Sequence, residues 1–357
     1  MPTNWTTAEI LKTPMEICWQ FDYAIDKAKL KNLYEKSKQL QWDAEQDLDW
    51  SIAIDPSKPL VDEARNGVDQ IPILQKLSKS QRETFTAHST AHLLSQFLHG
   101  EQGALMTAAA LTHAVPDYEG KLYAASQTMD EARHVEAYEK YIRKLAMVYP
   151  MAPWLRETID ITLKSDHWVK IAIGMNMIVE GLALAAFHNM RRATTCDLLR
   201  SLTELVLRDE ARHVAFANLY VKDAIDEMHP DDREDKAQFA FEIVKRMSDS
   251  FGGADGRGAQ LPDPGFFAVL ETVEIEPEDF IQSAIEAGEA GLHADAPPGE
   301  IHSFKDLMMP GLVRVGAVTS RTRELYEAEG IPVWEDLSVL ESMEESGSVE
   351  TNVAEAN

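Results

Sequence analysis

The same five residues, Asp-Glu-Ala-Arg-His, occur twice in this chain, at positions 130–134 and 209–213. A lone glutamate precedes the glutamate of each copy by the same distance along the chain. The chain therefore carries two sets of carboxylate and imidazole side chains. Each residue of the first set is separated from its counterpart in the second by the same number of residues as Glu101 is from Glu180. These sets are Glu101, Glu131 and His134 in the first half, and Glu180, Glu210 and His213 in the second half.

A Glu and a His three positions apart in a helix lie on the same helix face, one above the other. Two such pairs, with one further Glu from each of two more helices, supply four carboxylates and two imidazoles. This is the ligand set with which a four-helix bundle holds two iron or manganese ions. Four carboxylates neutralise two divalent ions, and imidazole is a suitable ligand for iron. The spacing therefore predicts a di-metal site.

The segments around the two lone glutamates are apolar, with Leu98 and Leu105 near Glu101 and with Ile178 and Leu182 near Glu180. A carboxylate on such a segment is costly to bury without a partner. For one Glu-x-x-His pair taken alone, an ordinary helix surface is the better explanation. The duplicated spacing and the apolar surroundings together favour metal binding.

Helical periodicity and proline positions indicate the elements that position these residues. We predict an N-terminal helix over about 24–46, in a segment where Trp42 and Trp50 are packing anchors. Four long helices follow, stopped near Pro116, Pro150 and Pro230. They cover about 80–113, 117–148, a third range that ends at 192, and 195–228. The third helix starts at either 154 or 166. A further helix is predicted over 231–250.

The predicted fold class is all-α, a four-helix bundle with additional N- and C-terminal helices. A Gly/Pro-rich loop is expected at 252–265. The C-terminal stretch 335–357 carries seven acidic side chains and neither Lys nor Arg, which is typical of a disordered tail. The predicted divisions are 1–79, an N-terminal wrapping segment; 80–250, the di-metal bundle; 251–334, a helical extension; and 335–357, the acidic tail.

The formal net charge of −26 argues against nucleic acid or an anionic membrane surface as a partner, and it suits a basic partner protein. The sequence has no uninterrupted stretch of about 18 or more apolar residues and no basic segment followed by an apolar run near its start. We therefore expect a soluble, cytoplasmic protein. The two cysteines, Cys18 and Cys196, provide neither a disulfide framework nor a thiolate metal site.

The order Glu, Glu-x-x-His, Glu, Glu-x-x-His resembles the ferritin-like superfamily, and within it the di-iron carboxylate oxygenases and oxidases. The resemblance covers about residues 80–228. Its Asp-Glu-x-Arg-His form is most similar to the bacterial multicomponent hydroxylases and related small di-iron oxygenases. The resemblance implies a ferritin-like bundle that holds two Fe ions, with O2 as co-substrate. Mn or a mixed Mn/Fe pair is an open alternative, because the same ligands accept both metals.

A metal-binding histidine usually donates its other ring N–H to a carboxylate. We therefore expect the aspartate of each motif to orient the histidine of the other motif, as in similar proteins. The arginines of both motifs are expected to pair with these aspartates, and solvated surface charges are the alternative. The expected pairs are Asp130 with His213 and Asp209 with His134, with Arg133 and Arg212 beside them.

Two positions bear on which reaction follows. Tyr138 lies one helical turn beyond His134, and it is a candidate catalytic residue because similar ribonucleotide reductase small subunits form a tyrosyl radical near their metals. That family usually begins its ligand set with Asp, where this chain has Glu101. The arylamine N-oxygenase branch adds a third histidine one turn before the last glutamate ligand, where this chain has Val206.

The leading hypothesis is an O2-dependent, monooxygenase-like di-iron oxidoreductase that hydroxylates, N-oxygenates or desaturates a small organic substrate. The chain has no Gly-rich flavin or nicotinamide fingerprint, so a separate reductase or ferredoxin is expected to supply electrons. A homodimer is expected because two-fold assemblies are the most common. The alternatives are a radical or oxidase protein similar to ribonucleotide reductase small subunits, and a ferroxidase or iron-storage protein.

Overall fold

A computed structural model describes residues 10–55, 71–254, 263–289 and 299–348 of the chain. Within these ranges every regular element is helical, which confirms the predicted all-α class. In chain order the elements are α1 (Ala28–Gln39), α2 (Pro72–Gln75), α3 (Lys79–Ala114), α4 (Tyr118–Leu145), α5 (Pro153–Leu163), α6 (Trp168–Ala172), a π-helical stretch (Ile173–Val179), α7 (Glu180–Ala193), α8 (Asp197–Glu227), α9 (Pro230–Ser250), α10 (Pro264–Glu271), α11 (Pro277–Glu289), a second π-helical stretch (Ser303–Met308), α12 (Met309–Val315), α13 (Ser320–Ala328) and α14 (Ser338–Ser348).

The bundle consists of α3, α4, the continuous segment from α6 to α7, and α8. Helix α3 begins at a capping box in which the side chains of Ser78 and Gln81 bond reciprocally to backbone N–H groups. It ends at the Val115–Pro116 step, where Val115 is extended, as the residue before proline prefers. Prolines occupy the first position of α5 and of α9, where no N–H is needed. The predicted bounds of α3, α4, α8 and α9 agree closely with the structure.

Of the two predicted starts for the helix that carries Glu180, the one at 166 agrees with the structure and the one at 154 does not. Helix α5 ends at Leu163, and a new helix starts after His167, whose ring accepts a hydrogen bond from the Val169 N–H. The break lets α5 pack against α3, α9 and the π-helical stretch. Gly174 permits this close approach, because a Cβ at this position would collide with the side chain of Thr162.

The first part of the helix that follows, Ile173–Val179, has π geometry, and the α-helical pattern resumes at Glu180. Such π turns occur often at functional sites. The whole helix, Trp168–Ala193, is long and apolar enough to cross a membrane, with a mean hydropathy of 1.6 in its most apolar window, but 78% of that window is buried inside the protein. A core helix of a bundle meets the same criterion.

The N-terminal helix is shorter than the predicted range of 24–46. Helix α1 ends at Gln39, and residues 40–50 form turns that cross α4 and α8. A local hydrogen-bond pattern prevents the helix from continuing. The Asp43 side chain accepts hydrogen bonds from the N–H groups of Glu45 and Gln46, and these bonds replace helical ones. The predicted packing of Trp42 and Trp50 is observed, and the Trp50 indole donates to the Ala44 carbonyl.

The C-terminal segment corrects the prediction of a disordered tail from residue 335. Residues 338–348 form α14, which buries Leu340 and Met343 against a cluster that includes Leu184 and Leu307. The acidic composition gave no indication of this apolar face, because most of the face consists of only two residues. Residues 349–357, and most of the predicted 252–265 loop, lie outside the described residues.

Two apolar clusters fill the bundle, one toward each end. One cluster includes Leu111, Tyr123 and Phe216, and the other includes Leu94, Tyr138 and Phe187. Along each of the four bundle helices, the charged residues of the duplicated motif lie between these clusters. The fold therefore encloses its most polar residues at mid-height, away from both ends of the helices.

Candidate metal centre

The structure brings all six duplicated residues to one place in the centre of the bundle. Each is at most 5% exposed. Their side-chain atoms form two groups that share Glu131, and within each group the potential ligand atoms lie within 4.8 Å of one another. The first group is Glu101, Glu131, His134 and Glu210, and the second is Glu131, Glu180 and His213.

Both imidazoles direct Nδ1 toward the carboxylates. His134 Nδ1 lies 3.1 Å from Glu101 Oε2 and 3.3 Å from Glu210 Oε1. His213 Nδ1 lies 3.1 Å from Glu131 Oε1 and 3.5 Å from Glu210 Oε2. Ligands that share one ion at about 2.0–2.2 Å are separated by roughly 3–3.6 Å, so the spacing fits metal coordination.

Several carboxylate oxygens in this cluster lack a hydrogen-bond donor. Glu131 Oε2 and both carboxylate oxygens of Glu210 accept no hydrogen bond from the part of the chain that the structure describes. A buried polar atom without a partner costs about 1–3 kcal/mol, and a charged one costs more. Metal ions would satisfy these oxygens, and the donor set is therefore chemically suited to two divalent cations.

The electrostatics of the cluster point the same way. Burial raises the pKa of Glu101 and of Glu180 well above the usual value. Burial also acts to raise the pKa of Glu131, but the positive charge of His213 and the close approach of Nδ1 of both histidines hold it well below its usual value. The cluster thus shares protons among its members, and divalent ions would replace those protons as they bind.

Each histidine contacts the aspartate of the other motif through Nε2. The distance from His134 Nε2 to Asp209 Oδ2 is 3.0 Å, and from His213 Nε2 to Asp130 Oδ2 it is 3.4 Å. These are the pairs expected from the sequence. Burial acts to raise the pKa of Asp209, but its hydrogen bond with His134 and the charge of nearby arginines outweigh burial and hold the pKa well below its usual value.

The two motif arginines lie between these aspartates and are not surface charges, since Arg133 is 4% and Arg212 is 1% exposed. Arg133 donates to Asp130 at 2.7 Å and to Asp209 at 2.8 Å. Arg212 pairs closely with Asp209 and contacts Asp130 at 3.5 Å. Two cations and two anions thus form a buried, alternating network behind the histidines.

Two residues that sequence reasoning did not assign to the site come from the turns after α1. Gln41 donates to Asp130 Oδ1 at 2.8 Å, and the Trp42 indole N–H donates to Asp209 Oδ2 at 2.8 Å. The Trp42 ring also stacks on His134, with ring centroids 6.2 Å apart. No periodic pattern links positions so distant in the chain, and so the sequence carries no signal for these contacts.

Two buried amides were also missed. Gln127 donates to Glu180 Oε1 at 2.9 Å and to Glu131 Oε1 at 3.2 Å, and Asn176 donates to Glu180 Oε2 at 3.0 Å. Here a signal exists in the sequence, because each amide lies about one helical turn before one of the candidate ligands. A polar side chain at that spacing on an apolar helix face indicates a partner in the core.

Tyr138 is fully buried beside the cluster. Its ring stacks on Phe187, with centroids 5.9 Å apart, and burial together with the charge of Glu101 raises its pKa well above the usual value. Its hydroxyl has no hydrogen-bond partner among the described residues. Val206 belongs to the same apolar cluster, so the described residues offer the centre two imidazoles and not three.

A helical bundle that encloses four carboxylates and two imidazoles has the architecture of the ferritin-like di-metal carboxylate proteins. A family model described as the p-aminobenzoate N-oxygenase AurF matches residues 25–251, which is more than half of the chain. The chain belongs to this AurF family of ferritin-like di-iron oxygenases. The resemblance predicted from the duplicated motif is thereby confirmed, and the protein is an O2-using di-iron oxidoreductase.

Similar solved structures include three single-residue variants of an R2-like ligand-binding oxidase. One with an anaerobically reconstituted Mn/Fe cofactor has a TM-score of 0.46 and 16% identity, over 84% of this chain and 95% of that chain. A second, aerobically reconstituted, has a TM-score of 0.45 and 16% identity, over 84% and 99%. A third has a TM-score of 0.45 and 16% identity, over 76% and 98%. No curated protein sequence matches the chain at a significant level.

Proposed function

We propose that the six clustered residues bind two iron ions and that the protein is a monooxygenase acting on a small organic substrate. The main support for the proposal is that buried carboxylate oxygens of Glu131 and Glu210, at the centre of the bundle, receive no hydrogen bond from the described residues. When bound, the metals supply the reductive activation of O2 that oxygen insertion requires. Manganese at one or both positions is chemically compatible with the same ligands.

The chain's own contribution is to orient the ligands and to exclude water. Asp209 accepts the Nε2–H of His134, which leaves Nδ1 as the ring atom available to bind a metal. Asp130 holds His213 in the same tautomer. Because apolar clusters close the bundle above and below these groups, bulk water is kept from the reacting atoms.

The proposed reaction is N-oxygenation of an arylamine, with hydroxylation or desaturation as the alternatives. The family is named for N-oxygenation of p-aminobenzoate, and the proposal rests on that match, since Val206 stands where the arylamine branch has its third histidine. The test is single-turnover oxidation of p-aminobenzoate under 18O2 by protein loaded anaerobically with two ferrous ions, which supply the two electrons that reduce the second oxygen atom to water, with the products analysed by mass spectrometry. An 18O-labelled nitrogen supports the proposal, and a labelled ring carbon supports the hydroxylase alternative. Iron oxidation with no labelled product from p-aminobenzoate or other arylamines contradicts the N-oxygenase assignment.

Electrons are proposed to come from a separate reductase or ferredoxin and to enter near Trp42. The Trp42 indole is 9% exposed and connects through Asp209 to His134 by hydrogen bonds of 2.8 and 3.0 Å. Exposed acidic side chains, including Glu45 and Asp47, flank this position and suit a donor with a basic face.

Trp42→Phe should slow reduction of the oxidised protein by the donor while metal content stays the same, because an aromatic ring remains but its hydrogen bond to Asp209 is lost. The matched control is Trp50→Phe, since the Trp50 indole donates to a backbone carbonyl and does not contact the centre. Equal reduction rates in both variants and in the wild type would contradict this route.

We also propose a cytoplasmic homodimer. Free Cys18 and Cys196 support a reducing compartment.

The proposed dimer interface is the extended segment 17–25. Alternate residues of this segment are large, apolar and exposed, with Trp19 75% and Phe21 72% exposed. Two copies of such a segment would bury roughly 1,300 Å², which is enough for a specific interface. Replacing Trp19 and Phe21 by Ser should convert the dimer to a monomer in light scattering, and a wild-type monomer would refute the proposal.

A further inference from the structure

The Glu180 carboxylate is held by two buried amides. Gln127 Nε2 donates to Oε1 at 2.9 Å, and Asn176 Nδ2 donates to Oε2 at 3.0 Å. Asn176 Nδ2 also lies 3.1 Å from Gln127 Oε1, so the two amides support each other. All three residues are at most 3% exposed. Both oxygens of Glu180 therefore have a fixed donor that water cannot replace.

The other half of the bundle lacks this arrangement. The constant offset in residue number that relates the two halves places Val206 at the position equivalent to Gln127, and Phe97 at the position equivalent to Asn176. Both are apolar and cannot donate to a carboxylate. The contact of Glu101, the counterpart of Glu180, is with His134 Nδ1 at 3.1 Å.

These two kinds of contact respond differently to metal binding. His134 Nδ1 is itself a candidate ligand, so its contact with Glu101 must be exchanged when both atoms bind one ion. The amide contacts of Glu180 need not be exchanged, because each carboxylate oxygen has two lone pairs and can accept a hydrogen bond while it binds a metal. Glu180 is thus oriented before the metal arrives, and Glu101 is not.

We propose that Gln127 and Asn176 are positioning residues that make the two metal positions unequal. By fixing Glu180, they make the position formed by Glu180 and His213 bind its ion more tightly, and fill first. The position formed by Glu101 and His134 fills second. This inference rests on the proposed ligand set and goes beyond it, since the duplicated sequence motif alone would make the two positions equivalent.

The test is titration of the metal-free full-length protein with Mn²⁺, with free Mn²⁺ followed by electron paramagnetic resonance. The wild-type protein should bind two equivalents in two resolved steps. Gln127→Leu keeps the side-chain volume but removes the donor, and it should weaken one equivalent by about 10–100-fold, the usual effect of losing an outer hydrogen bond to a metal ligand. The other equivalent should keep most of its affinity, because the bond that Gln127 donates to Glu131, which both positions share, is longer, at 3.2 Å. Asn176→Leu removes a bond to Glu180 and none to Glu131, so it should leave the other equivalent unchanged.

Ligand variants assign the affected position. In a His134→Ala background, the remaining equivalent should still weaken when Gln127→Leu is added. In a His213→Ala background, the added substitution should change the affinity much less, since only the longer contact of Gln127 with Glu131 is then lost. Asn176→Leu provides an independent variant if Gln127→Leu fails to fold, as judged by thermal unfolding of the metal-free protein.

Val206→Ala is the matched control, because it perturbs packing at the equivalent position without removing a donor. Loss of the same affinity in Val206→Ala, or unchanged two-step binding in both amide variants, would overturn the inference while leaving the di-metal proposal intact. A wild-type protein that binds no metal would instead refute the ligand set itself. Two wild-type equivalents of equal affinity would also overturn the inference.

Discussion

Replacing Asp209 by Asn should produce the largest single loss among the residues that surround the candidate ligands. Asp209 is 1% exposed and contacts His134, Arg133, Arg212 and Trp42. Asn keeps the shape of the side chain but removes its charge, so two buried guanidinium groups lose a shared counter-ion. Removing one partner of a buried ion pair costs about 3–5 kcal/mol, and we expect a loss of that size in the free energy of unfolding of the metal-free protein.

A second effect of the same substitution acts on metal affinity. The amide of Asn can present N–H to His134 Nε2 in place of the carboxylate oxygen, which removes the acceptor that fixes the ring tautomer. The Mn²⁺ equivalent that includes His134 should weaken about 10–100-fold. Urea denaturation of the metal-free protein and Mn²⁺ titration of the folded protein measure the two effects separately.

The duplicated motif provides the control for this experiment. Asp130 occupies the position in the first motif that Asp209 occupies in the second. Both accept a short hydrogen bond from Arg133, but the contacts of Asp130 with His213 and Arg212 are longer, at 3.4 and 3.5 Å. Asp130→Asn should therefore cost less in both assays. Equal or larger losses in Asp130→Asn would show that these distances do not determine the energetics, and the reasoning would fail.

Three further predictions concern the fold and the radical alternative. Gly174→Ala should destabilise the protein by about 1–3 kcal/mol in thermal or urea unfolding because its Cβ collides with Thr162, whereas Gly100→Ala, with open space around it, should be neutral or slightly stabilising. Leu340→Ala should cost about 2–4 kcal/mol in the same assay if α14 unfolds with the bundle, and no change would place α14 outside the cooperative unit. Tyr138→Phe should leave metal content and oxygen insertion unchanged if the protein is an oxygenase, and loss of a stable tyrosyl radical signal in this variant would support the radical-forming alternative.

The long helices could be predicted because periodicity and proline positions are local signals. The clustering of the duplicated residues followed from the same reasoning. A Glu and a His three positions apart share one helix face, and on two bundle helices with apolar surroundings that face is expected to be directed into the bundle. Their assignment as metal ligands remains a prediction for the metal titrations. The sequence could not reveal the contacts of Gln41 and Trp42, because they depend on where a non-helical segment crosses the bundle. The sequence could not decide whether the third bundle helix starts at 154 or at 166, because the break after Leu163 depends on the packing of Gly174 against Thr162.

The prediction of a disordered tail was wrong for a different reason. Its composition is that of a disordered segment, but Leu340 and Met343 lie on one helix face and pack against an apolar surface formed by distant parts of the chain. Glu344 adds to this docking by pairing with Arg314 and accepting a hydrogen bond from Asn218. Average composition does not report such a small, well-placed contact.

The cross-pairing of the two motifs has a consequence for the order of events in the cell. Because Asp130 serves the histidine on α8 and Asp209 serves the histidine on α4, neither helix carries a working half of the centre by itself. A chain that has emerged only as far as α4 would have its first Glu-x-x-His pair but no acceptor for the imidazole. On the proposed ligand set, firm binding of iron would therefore require α8 to have docked against α4.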